Sequence, residues 1–196
     1  MMVGLDDIRR IIVWVARSPH SRGFGVQSPW AYRFVRYVIN EHYPYYAYGR
    51  LASEFGLCGN VRRLFELYFR ISNFLRPQLV ADCGTRSDAF SAYVAAGCSR
   101  ARVAACAGCI PDGMPPADMA RFSPSPHLRG HYAALAEKAG PQSLFIIEGI
   151  GHNAAARRLW REVKADPRTG VTFDLYYCGI VFFDKKRFKQ NYIINF

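Results

Sequence analysis

The chain has 196 residues, 51% of them hydrophobic and 15% aromatic. That is enough for one domain with a full core, too little for two ordinary domains, and it excludes a disordered chain. Lys and Arg number 26 against 15 Asp and Glu, a net charge of +11 that permits attraction to nucleic acid or another polyanion. The charges are spread over helix faces with no Lys/Arg run, and no apolar stretch reaches the roughly 18 residues a membrane helix needs, so no membrane association is expected.

Asp6 to Ser18 carries apolar residues at Ile8, Ile11, Ile12 and Val15, the spacing of a helix with one buried face. Its internal arginines and the lack of a small-residue cleavage pattern separate it from a signal peptide, so a cytoplasmic location is expected. Residues 18–29, SPHSRGFGVQSP, read as a loop. Ser28 as N-cap and Pro29 at the first helical position open a helix through Tyr32, Val35, Val38 and Ile39. EHYPYYAYGR breaks it; its tyrosines either line a pocket or cover the surface with their hydroxyls in water. Asn60 caps a helix carrying Leu64, Leu67, Tyr68 and Ile71, which Pro77 ends. Residues 1–76 are thus read as a helical extension packing on a core formed by residues 77–196, a single compact domain overall.

Gln78 to Asp82 is a continuous apolar run, as expected for a strand buried in a parallel sheet. A helix after Ser87 and a second strand over Ala101 to Cys106 complete a βαβ unit with a right-handed crossover. Residues 108–126, rich in Pro, Gly and Ser, read as a loop with at most one irregular strand. A helix over Leu128 to Lys138 and the buried strand SLFIIEGI follow. Asn153 caps a helix through Leu159, Trp160 and Val163. VTFDLYYCGIVFF reads as two strands around a tight turn at Cys178-Gly179, and NYIINF extends the sheet. The pattern is a three-layer α/β domain.

The cysteines are Cys58, Cys83, Cys98, Cys106, Cys109 and Cys178. Cys106 and Cys109 form a CxxC, but a zinc site needs a second ligand pair, and no CxxC, HxxxH or similar partner is expected. Reduced thiols and no metal are expected.

In an open parallel sheet, ligands bind beyond the C-terminal ends of the strands. The turn from Asp82 to Ser87 lies there, where its N–H groups and the following helix N-terminus can hold a carboxylate or phosphate. It has one glycine, Gly84, so the GxGxxG pattern is not satisfied.

Three segments resemble class I S-adenosylmethionine-dependent methyltransferases, and more closely a bacterial group of them with helical N-terminal additions. HSRGFGVQSPWAYRFVRYVI resembles that group's HGFGVHSPF opening. LVADCGTRSDAFSAYVAAG resembles motif I, E/D-x-G-x-x-x-G. SLFIIEGIGHNAAARRLWREVKADPRTGVTFDLYYCGIVFF resembles the fifth strand onward, where members carry DDI and end in DL…GLVFF. The resemblance implies a Rossmann-like sheet, mostly parallel with an antiparallel C-terminal hairpin, and S-adenosylmethionine as cofactor.

Carried over residue by residue, the resemblance implies cofactor contacts at Asp82, Gly84, Thr85, Ser87 and Cys106. Asp82 stands near the end of the first strand, beside the place of the family's acid. Gly84 matches the first motif I glycine, and Thr85 a small hydroxyl position. Asp88 replaces the second glycine, where a carboxylate crowds the cofactor and does not tolerate positive φ. The second strand ends Cys106-Ala107 with no acid for the ribose hydroxyls, and a thiol is a poor substitute. Between the second and fifth strands a full fold takes roughly 60 residues, about 35 are present, and one or both middle strands are expected to be missing or reduced. Where relatives carry DGNH, this chain has SPSPH, with no carboxylate, so no metal ligand is carried over.

Glu148 aligns with the first acid of DDI and is the candidate catalytic carboxylate. His152, four residues on, is a candidate general base. Both also read as ordinary groups at a strand end and in a surface loop. Three readings follow: a methyltransferase-like protein with a weakened or lost cofactor site, an active small-molecule methyltransferase with an atypical pocket, or a non-enzymatic basic protein binding RNA or a protein partner. The substrate is not legible, and an exposed aromatic N-terminal region suits a homodimer.

Overall fold

Ser28 and Pro29 start the first helix described in full, as their chemistry requires. Ser28 accepts from the Ala31 N–H, and the proline removes an N–H that would have no partner. The structure, a computed structural model, describes residues 26–196 together with Val15 and Arg17. The expected helix over Asp6 to Ser18 and most of the loop after it lie outside the described residues; Val15 and Arg17 are helical.

Helix α1 (Pro29–Phe34) runs into a π-helical turn over Val35–Ile39. Helix α2 (Tyr48–Glu54) and the long α3 (Gly59–Leu75) follow. Cys58, not Asn60, occupies the N-cap of α3, and Asn60 lies within its first turn. Arg76, at φ 54, ends it in the left-handed region just before Pro77.

The core begins with β1 (Leu79–Cys83), α4 (Asp88–Gly97) and β2 (Arg102–Cys106). The Pro-rich stretch does contain a strand, β3 (Met119–Phe122), followed by α5 (Leu128–Glu137). One of the two middle strands of a full fold is therefore present, and β2 is left as the sheet edge. Then come β4 (Leu144–Glu148), α6 (Ala154–Ala165), β5 (Thr172–Asp174), β6 (Cys178–Phe182) and β7 (Asn191–Ile193).

The turn between β5 and β6 corrects the expectation. It lies at Leu175–Tyr177, with Tyr176 at φ 69, whereas Cys178 and Gly179 are inside β6. Gly179 is there because the Trp160 ring presses against it; a Cβ would come within 2.6 Å of that ring.

The seven strands form one sheet in the order β2-β1-β3-β4-β6-β5-β7. Pairings β1–β2, β1–β3 and β3–β4 are parallel; β4–β6 and β5–β6 are antiparallel; β7 joins β5 in parallel. Alternation along the strands sends side chains to two faces. One face, with Val80, Met119, Ile146 and Ile180, packs beneath α1 to α4. The other, with Ala81, Phe122, Phe145 and Val181, packs on Leu135 of α5 and Leu159, Trp160 and Val163 of α6. Full burial stabilises by about 1.5–3 kcal/mol for each large apolar side chain, and these two cores hold the three layers together.

Candidate functional site

The C-terminal ends of β1, β3 and β4 meet at one edge of the sheet. Each contributes a charged residue on the face beneath α3 and α4. In-register pairing places Asp82 beside Arg121, and Glu148 projects two residues beyond Arg121's partner on β4, Ile146.

Arg121 ties the three ends together. Its Nη1 donates to Asp82 Oδ1 at 2.6 Å. Its Nε and Nη2 donate to Glu148 Oε1 and Oε2 at 2.7 and 3.2 Å, a bidentate grip. The Tyr68 hydroxyl of α3 donates to the same Glu148 oxygen. The guanidinium lies 5.1 Å from the centroid of the Phe90 ring of α4. The side chains of Arg121 and Asp82 are 7% and 1% exposed, so water screens little of this network.

Two carboxylates share one cation, and the electrostatics follow from that count. Burial pushes the Asp82 carboxyl up, against the opposing pull of Arg121. Burial and the Glu148 charge push the Tyr68 phenol well above its usual range, so it stays a donor. Arg121 is held charged by Glu148, Tyr68 and Asp82 despite its desolvation.

The turn after β1 is stitched inward. The Gly84 N–H donates to the Cys106 carbonyl at 3.2 Å, and the Ser87 N–H to Asp82 Oδ2 at 3.3 Å. The Thr85 N–H donates to Ser123 Oγ at 2.8 Å, while its carbonyl accepts from Arg121 at 3.2 Å. Gly84 sits at φ +105, and a Cβ there would lie 2.3 Å from Ser123 Oγ and 2.9 Å from the Ser123 carbonyl oxygen. Glycine is required at this position because the residue after β3 presses against it. Ser87 caps α4 through the Phe90 N–H at 3.1 Å. Asp88 is exposed, in the first turn of α4, where its charge suits the helix dipole, and it pairs with Arg86.

The structure thus brings Asp82, Gly84, Thr85, Ser87 and Glu148 to one edge. Cys106 lies buried beside Cys83 in register on β2, its thiol donating to the Ala104 carbonyl at 3.7 Å, and the neighbouring Cys106 thiol, followed by burial, pushes the Cys83 pKa up. His152 is exposed in the turn before α6, and among the described residues no hydrogen bond joins it to Glu148. Arg121, Tyr68 and Ser123 complete the constellation and were not anticipated from the sequence. The alternation of Met119 and Arg121 with Ala120 and Phe122 is the signal that marks Arg121 as facing a core from a strand.

All six cysteines are free thiols. His127 and His131, at the start of α5, form an HxxxH pair that corrects the expectation of no second ligand pair, with ring centroids 5.7 Å apart. Among the described residues no three His, Cys, Asp or Glu side chains gather as a metal site would require.

No family model matches the chain, and no curated protein sequence does. Solved structures do match in fold. The cofactor-bound protein Rv0187 from MTB aligns at 10% identity and TM-score 0.52 over 70% of this chain and 88% of its own. A methyltransferase from Geobacter sulfurreducens aligns at 12% identity and TM-score 0.51, over 69% of this chain and 85% of its own. An O-methyltransferase from Bacillus cereus in complex with SAH aligns at 9% identity and TM-score 0.51, over 76% of this chain and 96% of its own. The chain has the Rossmann-like fold of these structures, two of which are methyltransferases. Among the described residues no helix is long and apolar enough to cross a membrane.

Proposed function

We propose that this is a methyltransferase-like protein whose S-adenosylmethionine site is weakened or lost. One observation carries the reading: Arg121 occupies both strand-end carboxylates, Asp82 and Glu148. Two further features agree with it. The N–H groups of Gly84, Thr85 and Ser87 already have acceptors inside the protein. β2 ends at Cys106 and is followed by Ala107 and Gly108, with no carboxylate for a ribose. The residues present therefore do not fit the cofactor in the way motif I implies, and no catalytic step is assigned to Glu148 or His152.

Calorimetric titration with S-adenosylmethionine and S-adenosylhomocysteine tests this. The expected result is no heat up to millimolar ligand in protein shown to be folded. A dissociation constant near micromolar, about −8 kcal/mol, would overturn the reading and restore the active-enzyme alternative. An acid placed by Ala107→Asp together with Asp88→Gly is expected to raise cofactor affinity.

The described part of residues 1–76 is read as an extension on a core of residues 77–196, and Tyr68 links the two by reaching Glu148 across the boundary. A fragment of residues 77–196 is expected to be insoluble or molten. The free thiols fit a cytoplasmic setting. Exposed Tyr32, Tyr37 and Phe74 suit a homodimer, which light scattering would detect. Arg158 and Arg161 on the open side of α6 favour nucleic acid as the polyanion, with an affinity that falls steeply with salt.

A further inference from the structure

A second arginine is buried, and its surroundings differ from those of Arg121. Arg70 of α3 is 5% exposed. Its Nε donates to the Val38 carbonyl at 2.6 Å, Nη2 to the Ile39 carbonyl at 3.2 Å and Nη1 to the Tyr48 hydroxyl at 3.2 Å. All three acceptors are neutral. Among the described residues no carboxylate ion-pairs with it. Carbonyls at a helix end supply only the partial charge of the dipole. A buried cation is costly unless it is paired, so this guanidinium is poised for an anion.

Arg70 lines a cavity of about 400 Å³ on the side of α3 turned away from Tyr68 and the strand ends. Arg62 and Arg63 share the wall with it. Two carboxylates are also present, and both already have donors. Glu66 accepts from Arg62 at 2.8 Å, and Glu41 accepts the N–H groups of His42 and Tyr43 at 2.8 and 2.9 Å. Arg63 and Arg70 are therefore the cavity cations without a carboxylate partner among the described residues. The other walls are aromatic. Tyr43 and Tyr45 meet edge to face at 5.2 Å, Tyr45 lies 5.4 Å from Tyr48, and Arg63 covers the Phe196 ring at 5.2 Å.

We propose that this cavity binds a small planar aromatic acid. Its anionic group sits against Arg63 and the remaining N–H donors of Arg70, and its ring lies among Tyr43, Tyr45 and Phe196. The volume is within the range of small-molecule sites, and a few placed charges in an aromatic wall are how such sites fix orientation. The site is separate from the strand-end constellation and does not depend on cofactor binding there.

The test compares 2-naphthoate with its neutral isostere 2-naphthamide by calorimetry on the full chain. The acid is expected to bind and the amide to bind at least about tenfold more weakly, the loss of one charge-assisted contact. Arg63→Met, at the exposed rim, should weaken the acid by about fivefold or more and leave the amide unchanged. Arg70→Met should remove the preference for the acid. Should that variant fail to fold, Arg63→Met and Tyr43→Ala, also at the rim, still decide. Equal binding of acid and amide, no binding of the acid at millimolar concentration, or an Arg63→Met protein that binds the acid as before would each overturn the proposal.

Discussion

Arg121 and Arg70 are both buried, yet they stand in opposite electrostatic situations. Arg121 has two carboxylates and a strand-end position, and every group around it is committed to the fold. Among the described residues Arg70 has only neutral oxygens as acceptors, and it opens onto a cavity. The contrast teaches where binding capacity lies in this molecule. A site whose charges already satisfy one another offers a ligand little, because any new partner must displace an old one. A buried cation with spare donors offers more. The place where this fold class binds ligands, the C-terminal ends of the strands, is here the internally satisfied one.

The largest expected effect breaks the first half of that contrast. Arg121→Met leaves Asp82 and Glu148 buried beside each other without a cation and should cost about 3–5 kcal/mol in urea denaturation. Adding Asp82→Asn and Glu148→Gln to the same chain should restore most of the loss, since a neutral set of similar shape avoids the desolvation cost. A single Arg121→Met that unfolds at the wild-type midpoint would mean the network does not hold the strand ends. Arg70→Met should cost less, about 1–3 kcal/mol, because it leaves two carbonyls and a hydroxyl unsatisfied but no opposite charge stranded. Equal losses for the two variants would erase the distinction between the arginines.

Acid titration sharpens the same point more gently. The folded Asp82 pKa lies above its ordinary 3.8, chiefly through burial. A raised pKa means that the folded state holds the proton more tightly than the unfolded chain does. Its contribution to stability is therefore present below 3.8 and is lost as pH rises through the folded value. The stability of wild type minus that of Asp82→Asn should accordingly fall as pH rises across that window. A difference that grows instead would show that Arg121 stabilises the Asp82 anion by more than burial costs it.

Much of the fold was legible because its signals are local. The apolar runs of β1 and β4, the Ser28-Pro29 start and the Asn153 cap of α6, which accepts from the Ala156 N–H at 3.0 Å, depend on neighbours in sequence. The features that were not legible depend on distant partners. β3 is four residues long and carries a charged side chain between prolines, which reads as loop until Asp82 and Glu148 are known to flank it. Gly179 resembles a turn glycine until the Trp160 ring is placed over it, and the actual turn residue, Tyr176, has none of the usual turn chemistry. For the candidate site, the sequence placed Asp82, Gly84 and Glu148 at or just beyond strand ends, where the structure also has them. It did not show that Gly84 makes room for Ser123, or that a tyrosine from the N-terminal helices reaches Glu148.

The smallest predicted effect probes Arg70 directly. Tyr48 accepts from Arg70, and burial pushes its phenol to about 12, while the guanidinium pulls it back by charge and hydrogen bond. Phenolate absorbance, compared with Tyr48→Phe to isolate one of the chain's 12 tyrosines, should show its step near pH 12. The stability supplied by the neutral phenol is present below pH 10 and lost as pH rises towards 12. Arg70→Met removes the guanidinium's downward pull on this phenol, so the step should move higher still. An anion seated on Arg70 should act in the same direction, because part of the guanidinium charge is then spent on the ligand. A Tyr48 step that is unmoved by Arg70→Met would mean that the guanidinium is not electrostatically coupled to this wall of the cavity, and the contrast between the two buried arginines would then rest on Arg121 alone.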